Sequence, residues 1–326
     1  MVRLADIARA AGVSTATASR ALSRPEMVAA ATRERVLAAA EEMGFRLNAS
    51  ARALTTGHTG LVGVIVPTLA NPFFPPILTG VQEELQTVGG NVVLAVSEHS
   101  AESEQALADR LASHVDGLIL VAPVSPDAAV RTMAQRLPTV TIDRTVRGLP
   151  GVLVDVPGGV RDLVNHLVEL GHRRIAYLGG PPSSWMDQRR RLAATEAVRA
   201  ADGELVVLRP VPPRIDAGLA AAEHIANGAS VTAIIAYSSY VLLGLLIGLH
   251  NAGLRVPEDI SLAASDDLTL LGTTQPSITA LHVPLDRAGA AASQLVLNAD
   301  TTGKPAKAVR IDTQLVVRES TAPARA

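Results

Sequence analysis

Cysteine is absent from the 326 residues, which excludes disulfides, thiolate metal sites and a cysteine nucleophile. Aromatic residues are almost as scarce, with three Phe, three Tyr and one Trp making up 2% of the chain. Hydrophobic residues reach 48%, yet no uninterrupted run approaches the roughly eighteen apolar residues of a membrane span. The N-terminus does not read as a signal peptide, because Arg3, Asp6 and Arg9 interrupt it before an apolar stretch develops. Nucleotide and hydrolase signatures are missing as well: there is no G-x-S-x-G, no P-loop and no G-x-G-x-x-G. Asp266 and Asp267 could flank a metal, but no histidine or third carboxylate lies near them in sequence. The expectation is a cytoplasmic protein with no catalytic residues, cofactor or metal, large enough for two or three domains.

An excess of positive charge is also lacking, since the net charge is −2. That looks wrong for a nucleic-acid binder until the chain is divided. Residues 1–60 carry eight arginines against five acids, so this segment is +3 and the remainder −5. A basic head on an acidic body confines phosphate contacts to the head.

Within that head, Leu4, Ile7, Ala8 and Ala11 recur at helical spacing. Gly12 follows, suited to the left-handed turn that ends a helix. Ser14 is placed to cap a second helix through its hydroxyl. Val13, Ala18, Ala21 and Leu22 would point inward, leaving Thr15, Ala16, Thr17, Ser19 and Arg20 outward. This is the pattern of a helix-turn-helix; an ordinary helical hairpin within a larger core is the alternative for this stretch alone. A third helix is expected from an N-cap at Thr32, burying Val36, Leu37, Ala40 and Met43 and stopping at Gly44. The head thus spans 1–46. Residues 47–58 form a linker in which Asn48 can cap a short helix over Ala49 to Thr55, ended by Gly57. So short a helix does not hold in water without support. It is either a flexible tether or a helix that orders when something holds it.

From Leu61 onward the texture is alternating strand and helix. Apolar runs begin at Leu61, Val92, Gly117, Thr139 and Val152, and after a helix from Gly158 to Leu170 they resume at Ile175, Leu205, Ala233 and Ser261. Strands without an alternating polar face, separated by helices, mean parallel sheets covered on both sides. Ten or more such strands suit an α/β body of two doubly wound lobes, with Ser277–Leu281, Ala308–Ile311 and Leu315–Val317 crossing between them. Ligands bind beyond the C-terminal ends of such strands. The residues found there are Asn71, Phe73, Phe74, Asp143 and Arg144, then Trp185, Asp187, Arg191, Tyr237, Ser238, Asp266 and Asp267. Four of the seven aromatics fall in this set and Tyr240 is close behind, which suggests a stacking platform. Phe74 could equally pack inward. His172 follows a helix end at Gly171 and is expected to interact with that terminus rather than a substrate.

Taken together, the segments DIARAAGVSTATASRAL, TRERVLAAAEEMGF, GVIVPTLANPFF, VDGLIL, LVELGHRRIAYLGG, GLRVPEDISL and LVVRES resemble the LacI/GalR family of transcriptional regulators, whose bodies are similar to periplasmic sugar-binding proteins. The resemblance runs nearly end to end. It implies a repressor that binds double-stranded, palindromic operator DNA as a homodimer, with a small polar effector, sugar-like or nucleoside-like, in the interlobe cleft. By the same resemblance Thr15, Ala16 and Arg20 read bases, while Ser14, Thr17 and Ser19 contact phosphates. Residues 47–58 become a hinge helix contributing Asn48, Ala51 and Leu54, with Leu54 wedged into the minor groove. The effector domain is 59–326, with lobe one at about 59–156 and 284–312 and lobe two at about 157–283 and 313–326. Arg191 and Asp266 fall where family members hold effector hydroxyls or polar edges, with Asp143 nearby. Three positions depart from the family: Leu47 replaces a proline, Ser238-Ser239 an Asn-Asp pair, and Ala264-Ser265 a Gly-Phe. The six residues Thr321–Ala326 are too few for the heptads of a tetramerising bundle, so the expectation is a dimer. A stand-alone solute-binding protein is the rival reading, but it has no use for the head.

The readout follows directly. Arg20→Ala is expected to cost roughly 1–3 kcal/mol of operator affinity and relax preference at one position in each half-site. Leu54→Ala should spare the head's fold yet lose specific affinity and DNA bending, as gel-shift and bending assays would register. Parent-like bending by Leu54→Ala would contradict the hinge assignment.

Overall fold

In the computed structural model the described residues are 2–23, 27–45, 58–226, 228, 230–267, 273–299 and 308–325. The chain divides into two compact units. One is Met1–Leu61 with His114–Asp116, and the other holds the remaining chain from Val62.

The small unit contains α1 (Leu4–Ala10), α2 (Thr15–Ser23) and α3 (Ala30–Glu42). Its core is made of small residues: Ile7, Ala8, Ala11, Ala18, Ala21, Val36, Ala39 and Ala40 are buried, with Leu4, Val13, Leu22 and Phe45 packed around them. The alanines let three short helices approach closely, which a core of larger side chains would not permit. Gly12 takes φ +65° between α1 and α2. The Ser14 hydroxyl accepts the Thr17 N–H at 3.1 Å and shares a 2.8 Å hydrogen bond with the Thr17 hydroxyl. The third helix differs from expectation at both its start and its face. It begins at Ala30, and the Thr32 N–H donates to the Ala29 carbonyl, so Thr32 lies inside the helix and caps nothing. Leu37 is 47% exposed. The buried stripe runs Val36, Ala39, Ala40 and Met43, the i, i+3, i+4, i+7 set, and Leu37 falls one helical step off it. At Asp116 one carboxylate gathers the N–H and hydroxyl of Thr59 and the N–H of Gly60, at 2.7–2.9 Å.

The large unit is built on two six-stranded sheets. The first comprises β1 (Leu61–Val66), β2 (Asn91–Val96), β3 (Gly117–Val121), β4 (Thr139–Ile142), β5 (Gly151–Val154) and β11 (Val309–Ile311), in the order β11-β5-β4-β3-β1-β2. The second comprises β6 (Arg174–Leu178), β7 (Glu204–Val207), β8 (Ala233–Ala236), β9 (Ser261–Ala264), β10 (Thr279–His282) and β12 (Gln314–Val316), ordered β12-β10-β9-β8-β6-β7. Pairing is parallel in both, with Val64 opposite Ile119 and Ile235 opposite Ala263, except where β12 runs antiparallel to β10. The central strands β3, β4, β8 and β9 are buried along their whole length. That is why they read as unbroken apolar runs, and it is the two-lobed α/β architecture expected.

Helices cover both sheets. Those of the first are α4 (Phe74–Gln86), α5 (Ala101–Leu111), α6 (Asp127–Ala134) and α11 (Leu285–Leu297); those of the second are α7 (Val156–Glu169), α8 (Trp185–Ala200), α9 (Ile215–Ala226) and α10 (Ser239–Asn251). Two helix pairs are in backbone contact. A methyl on Gly289 would sit 2.1 Å from the Ile77 carbonyl oxygen, and one on Gly244 would sit 2.0 Å from that of Ile215. The chain passes between the sheets after β5 at Asp155, after β10 at Val283–Pro284, and between β11 and β12 at Asp312–Thr313. The first and third passages are bonded together: the Asp155 N–H donates to the Ile311 carbonyl at 2.8 Å, and the Thr313 hydroxyl to the Asp155 carbonyl at 3.2 Å. Among the described residues no helix is long and apolar enough to cross a membrane.

Candidate functional site

Because the strands of each sheet are parallel, their C-terminal ends gather on one edge, and loops from both edges line a single cleft. It encloses about 760 Å³ of open space, mouth included. From the first sheet come Asn71, Phe73 and Phe74 after β1, His99 after β2, Ala122 after β3, and Asp143 and Arg144 after β4. From the second come Trp185, Met186 and Arg190 of α8, Tyr237 after β8 and Asp266 after β9. Phe73 and Phe74 stand edge to face, 5.9 Å between centroids. The Tyr237 hydroxyl donates to the Val211 carbonyl at 3.0 Å, which fixes its ring as a wall.

Two buried carboxylates face this space. Asp143 holds φ +60° directly after β4, and its N–H donates to the Val152 carbonyl at 2.9 Å. Burial pushes its carboxyl from an ordinary 3.8 up to about 6, against the pull of the Arg190 guanidinium. Burial likewise raises Asp266 to about 6, although the Ser239 hydroxyl donates to one of its oxygens and Arg190 again opposes the shift. Arg190, itself buried, donates from Nη1 to the Tyr237 carbonyl at 2.9 Å and to the Ser265 hydroxyl at 3.0 Å. Three buried polar atoms have no hydrogen-bond partner among the described residues: Asp143 Oδ1, Arg190 Nε and Ser238 Oγ. Native interiors rarely leave such groups unsatisfied, and here they belong to residues at or beside one cleft. On the first sheet's edge, His99, Ala122 and Asp143 all adopt positive φ without being glycine. Such strain gathers at ligand-binding positions.

The structure thus brings Phe73, Phe74, Asp143, Trp185, Tyr237 and Asp266 together, and it places three expected residues elsewhere. Arg191 is exposed, and Arg190 is the arginine on the cleft. In the run Arg189-Arg190-Arg191 only helical phase distinguishes them. Arg190 continues the buried stripe of Met186, Asp187, Ala193, Ala194 and Val198, and that stripe is readable in sequence. Asp187 lies behind the wall, its carboxylate accepting the Tyr177 hydroxyl at 2.8 Å and the Gly180 N–H at 3.0 Å. Ser238 is buried at the N-cap of α10, beside the cleft rather than lining it. His99 had no motif to announce it. Asp267 is bound in both oxygens by Arg318, at 3.2 and 2.7 Å, which removes it from any metal pair with Asp266. His172 meets the helix end as expected, its N–H donating to the Leu167 carbonyl at 3.0 Å, and its ring joins two further segments: Nδ1 meets the Thr232 hydroxyl at 2.8 Å and Nε2 the Ala322 carbonyl at 3.0 Å.

In the small unit Ser14, Thr15, Ala16 and Arg20 are exposed, and Thr17 and Ser19 are half-buried along α2. Asn48, Ala51 and Leu54 lie outside the described residues.

Residues 3–48 match the family described as bacterial regulatory proteins, lacI family, and residues 164–321 match the periplasmic binding protein-like domain. The HTH-type transcriptional regulator MalR of Streptomyces coelicolor is 33% identical over 339 residues, spanning 99% of this chain and 97% of its own. Among solved structures, the lac repressor dimer bound to operator and the anti-inducer ONPF superposes with TM-score 0.89 at 26% identity, covering 98% of this chain and 99% of that one. A complex of the regulator CelR with cellobiose gives TM-score 0.72 at 29% identity, covering 98% and 100%.

The raised carboxyls set a pH dependence of stability. The folded chain retains protons that the unfolded chain releases between pH 3.8 and about 6. Their contribution is therefore complete at low pH and lost as pH rises through 6. Unliganded Asp143→Asn, which cannot ionise, is expected to be more stable than the parent at pH 7.5 by about 1–3 kcal/mol. The gain should vanish toward pH 4 in paired thermal melts.

Proposed function

The chain belongs to the LacI family of bacterial regulatory proteins, and from that premise we propose that it is a dimeric transcriptional repressor whose grip on operator DNA is set by a sugar-like effector in the cleft. The observation that carries the effector reading is the pair of unsatisfied polar atoms on the cleft, Asp143 Oδ1 from the first lobe and Arg190 Nε from the second, with Ser238 Oγ unsatisfied beside it. Asp143 and Asp266 accept hydroxyl protons, and the Arg190 guanidinium offers a donor to a ring or hydroxyl oxygen. Phe73 and Trp185 cover the apolar face of a ring. Two buried carboxylates against one buried arginine, with the second cleft arginine, Arg144, bonded to Asp127 and to the Pro123 and Ser125 carbonyls, favour a neutral, hydroxyl-rich ligand over an anionic one. A relative was solved with cellobiose, which agrees with that chemistry. Ser238-Ser239, where the family has an amide and a carboxylate, argues for a ligand larger or less hydroxylated than a plain monosaccharide.

A ligand touching both lobes favours closure of the cleft, and closure alters the spacing of the two first lobes in the dimer. That spacing governs whether residues 47–58 of each subunit pair as hinge helices on DNA, with α2 in the major groove.

A thermal-shift screen with sugars, sugar phosphates and nucleosides identifies the ligand, since a compound bound only by the folded state raises its melting temperature. Operator titrations with and without that compound then separate two neighbouring arginines. Arg190→Ala should lose the response, with ligand affinity reduced roughly 10- to 100-fold, while Arg191→Ala keeps it. The opposite outcome would overturn the assignment.

A further inference from the structure

We propose that a second pocket, beside the interlobe passages, is a binding site for a small oxyanion of the phosphate class. It is distinct from the cleft, encloses about 500 Å³ with its mouth included, and is bounded by Asp155, Arg161, Trp185, Arg189 and Arg310. Its charge is unbalanced. Three guanidinium groups share the pocket with one carboxylate, and that carboxylate is already committed. Asp155 pairs with Arg310 through one oxygen and accepts the Gly158 N–H through the other, capping the first turn of α7. Among the described residues neither Arg161 nor Arg189 makes an ion pair. The Arg189 guanidinium lies instead 5.7 Å from the centroid of the Trp185 ring.

The walls come from both lobes. Arg310 is on β11 of the first sheet, whereas Arg161 and Arg189 are on α7 and α8, which cover the second. Pro157 and Trp185 bring the first turns of these two helices to the pocket, and their positive ends add to the field. A tetrahedral oxyanion offers acceptors in several directions and takes the planar fork of more than one arginine. Bound here, it ties Arg310 to Arg161 and Arg189 across the passages between lobes. Trp185 and Met186 line this pocket and the effector cleft alike. An oxyanion in the pocket therefore bears on how freely the cleft closes, whichever compound occupies the cleft.

Trp185 is the only tryptophan, so its emission reports on this site in the full-length protein. Titration with sodium phosphate, at ionic strength held constant with sodium chloride, should give a saturable change that chloride alone does not. Arg161→Gln and Arg189→Gln, at exposed positions, should each weaken the apparent affinity about tenfold or more. Arg191→Gln, exposed on the same helix and outside the pocket, should leave it unchanged. Phosphate-dependent thermal shifts of the same proteins give a readout independent of the fluorophore. Tighter binding of glycerol 3-phosphate than of inorganic phosphate makes the ligand a phosphate ester, and the reverse makes it free phosphate; either supports the site. A response that chloride reproduces, or one that survives intact in both Arg161→Gln and Arg189→Gln, overturns it.

Discussion

Two parallel sheets each bring every loop that follows a parallel strand to one edge, and the chain passes between these sheets at Asp155, Val283–Pro284 and Asp312–Thr313. The rest of the large unit follows from that constraint. The loop edges of both sheets line one cleft, so residues as distant in sequence as Phe73 and Asp266 share a wall. The passages are few, and two of them are bonded to each other through Asp155, Ile311 and Thr313. A ligand that contacts both edges would join the two lobes directly.

The cleft departs from the rules that the rest of the unit obeys. Elsewhere buried polar groups are satisfied: Asp187 by Tyr177 and Gly180, His172 by Thr232 and Ala322, Asp267 by Arg318. At and beside the cleft, two carboxyls are forced up to about 6 by burial, a guanidinium nitrogen and two oxygens go unpaired, and four non-glycine residues on one edge, Glu98, His99, Ala122 and Asp143, hold positive φ. These features cost stability in the unliganded protein. The proposed polyhydroxylated ligand would supply the missing partners, so that its binding energy would offset a penalty already built into the fold.

Much of this was legible in the sequence because parallel strands buried on both faces leave unbroken apolar runs. LVGVIV at β1 and GLILV at β3 are found as strands with the boundaries their runs suggest. The helix-turn-helix was equally readable, since Gly12 and Ser14 sit where a left-handed turn and an N-cap are required. What was not legible depended on phase or on tertiary placement. Leu37 and Arg191 each sit one residue from the position that faces inward, and a helix turns about 100° per residue. Ala29 starts α3 without any side-chain cap, so no polar residue marked its beginning. His99 reaches the cleft only because Glu98 and His99 both turn left-handed after β2, a backbone excursion no local pattern announced.

On this reading one small molecule satisfies groups from both lobes at once. The most direct measurement is a structure of the full chain with the sugar identified by screening. Ligand hydroxyls should lie within hydrogen-bond distance, about 2.6–3.0 Å, of the carboxylates of both Asp143 and Asp266, with Arg190 donating to a ligand oxygen. A ligand held by one lobe alone, leaving Asp143 Oδ1 and Arg190 Nε still without partners, would contradict it.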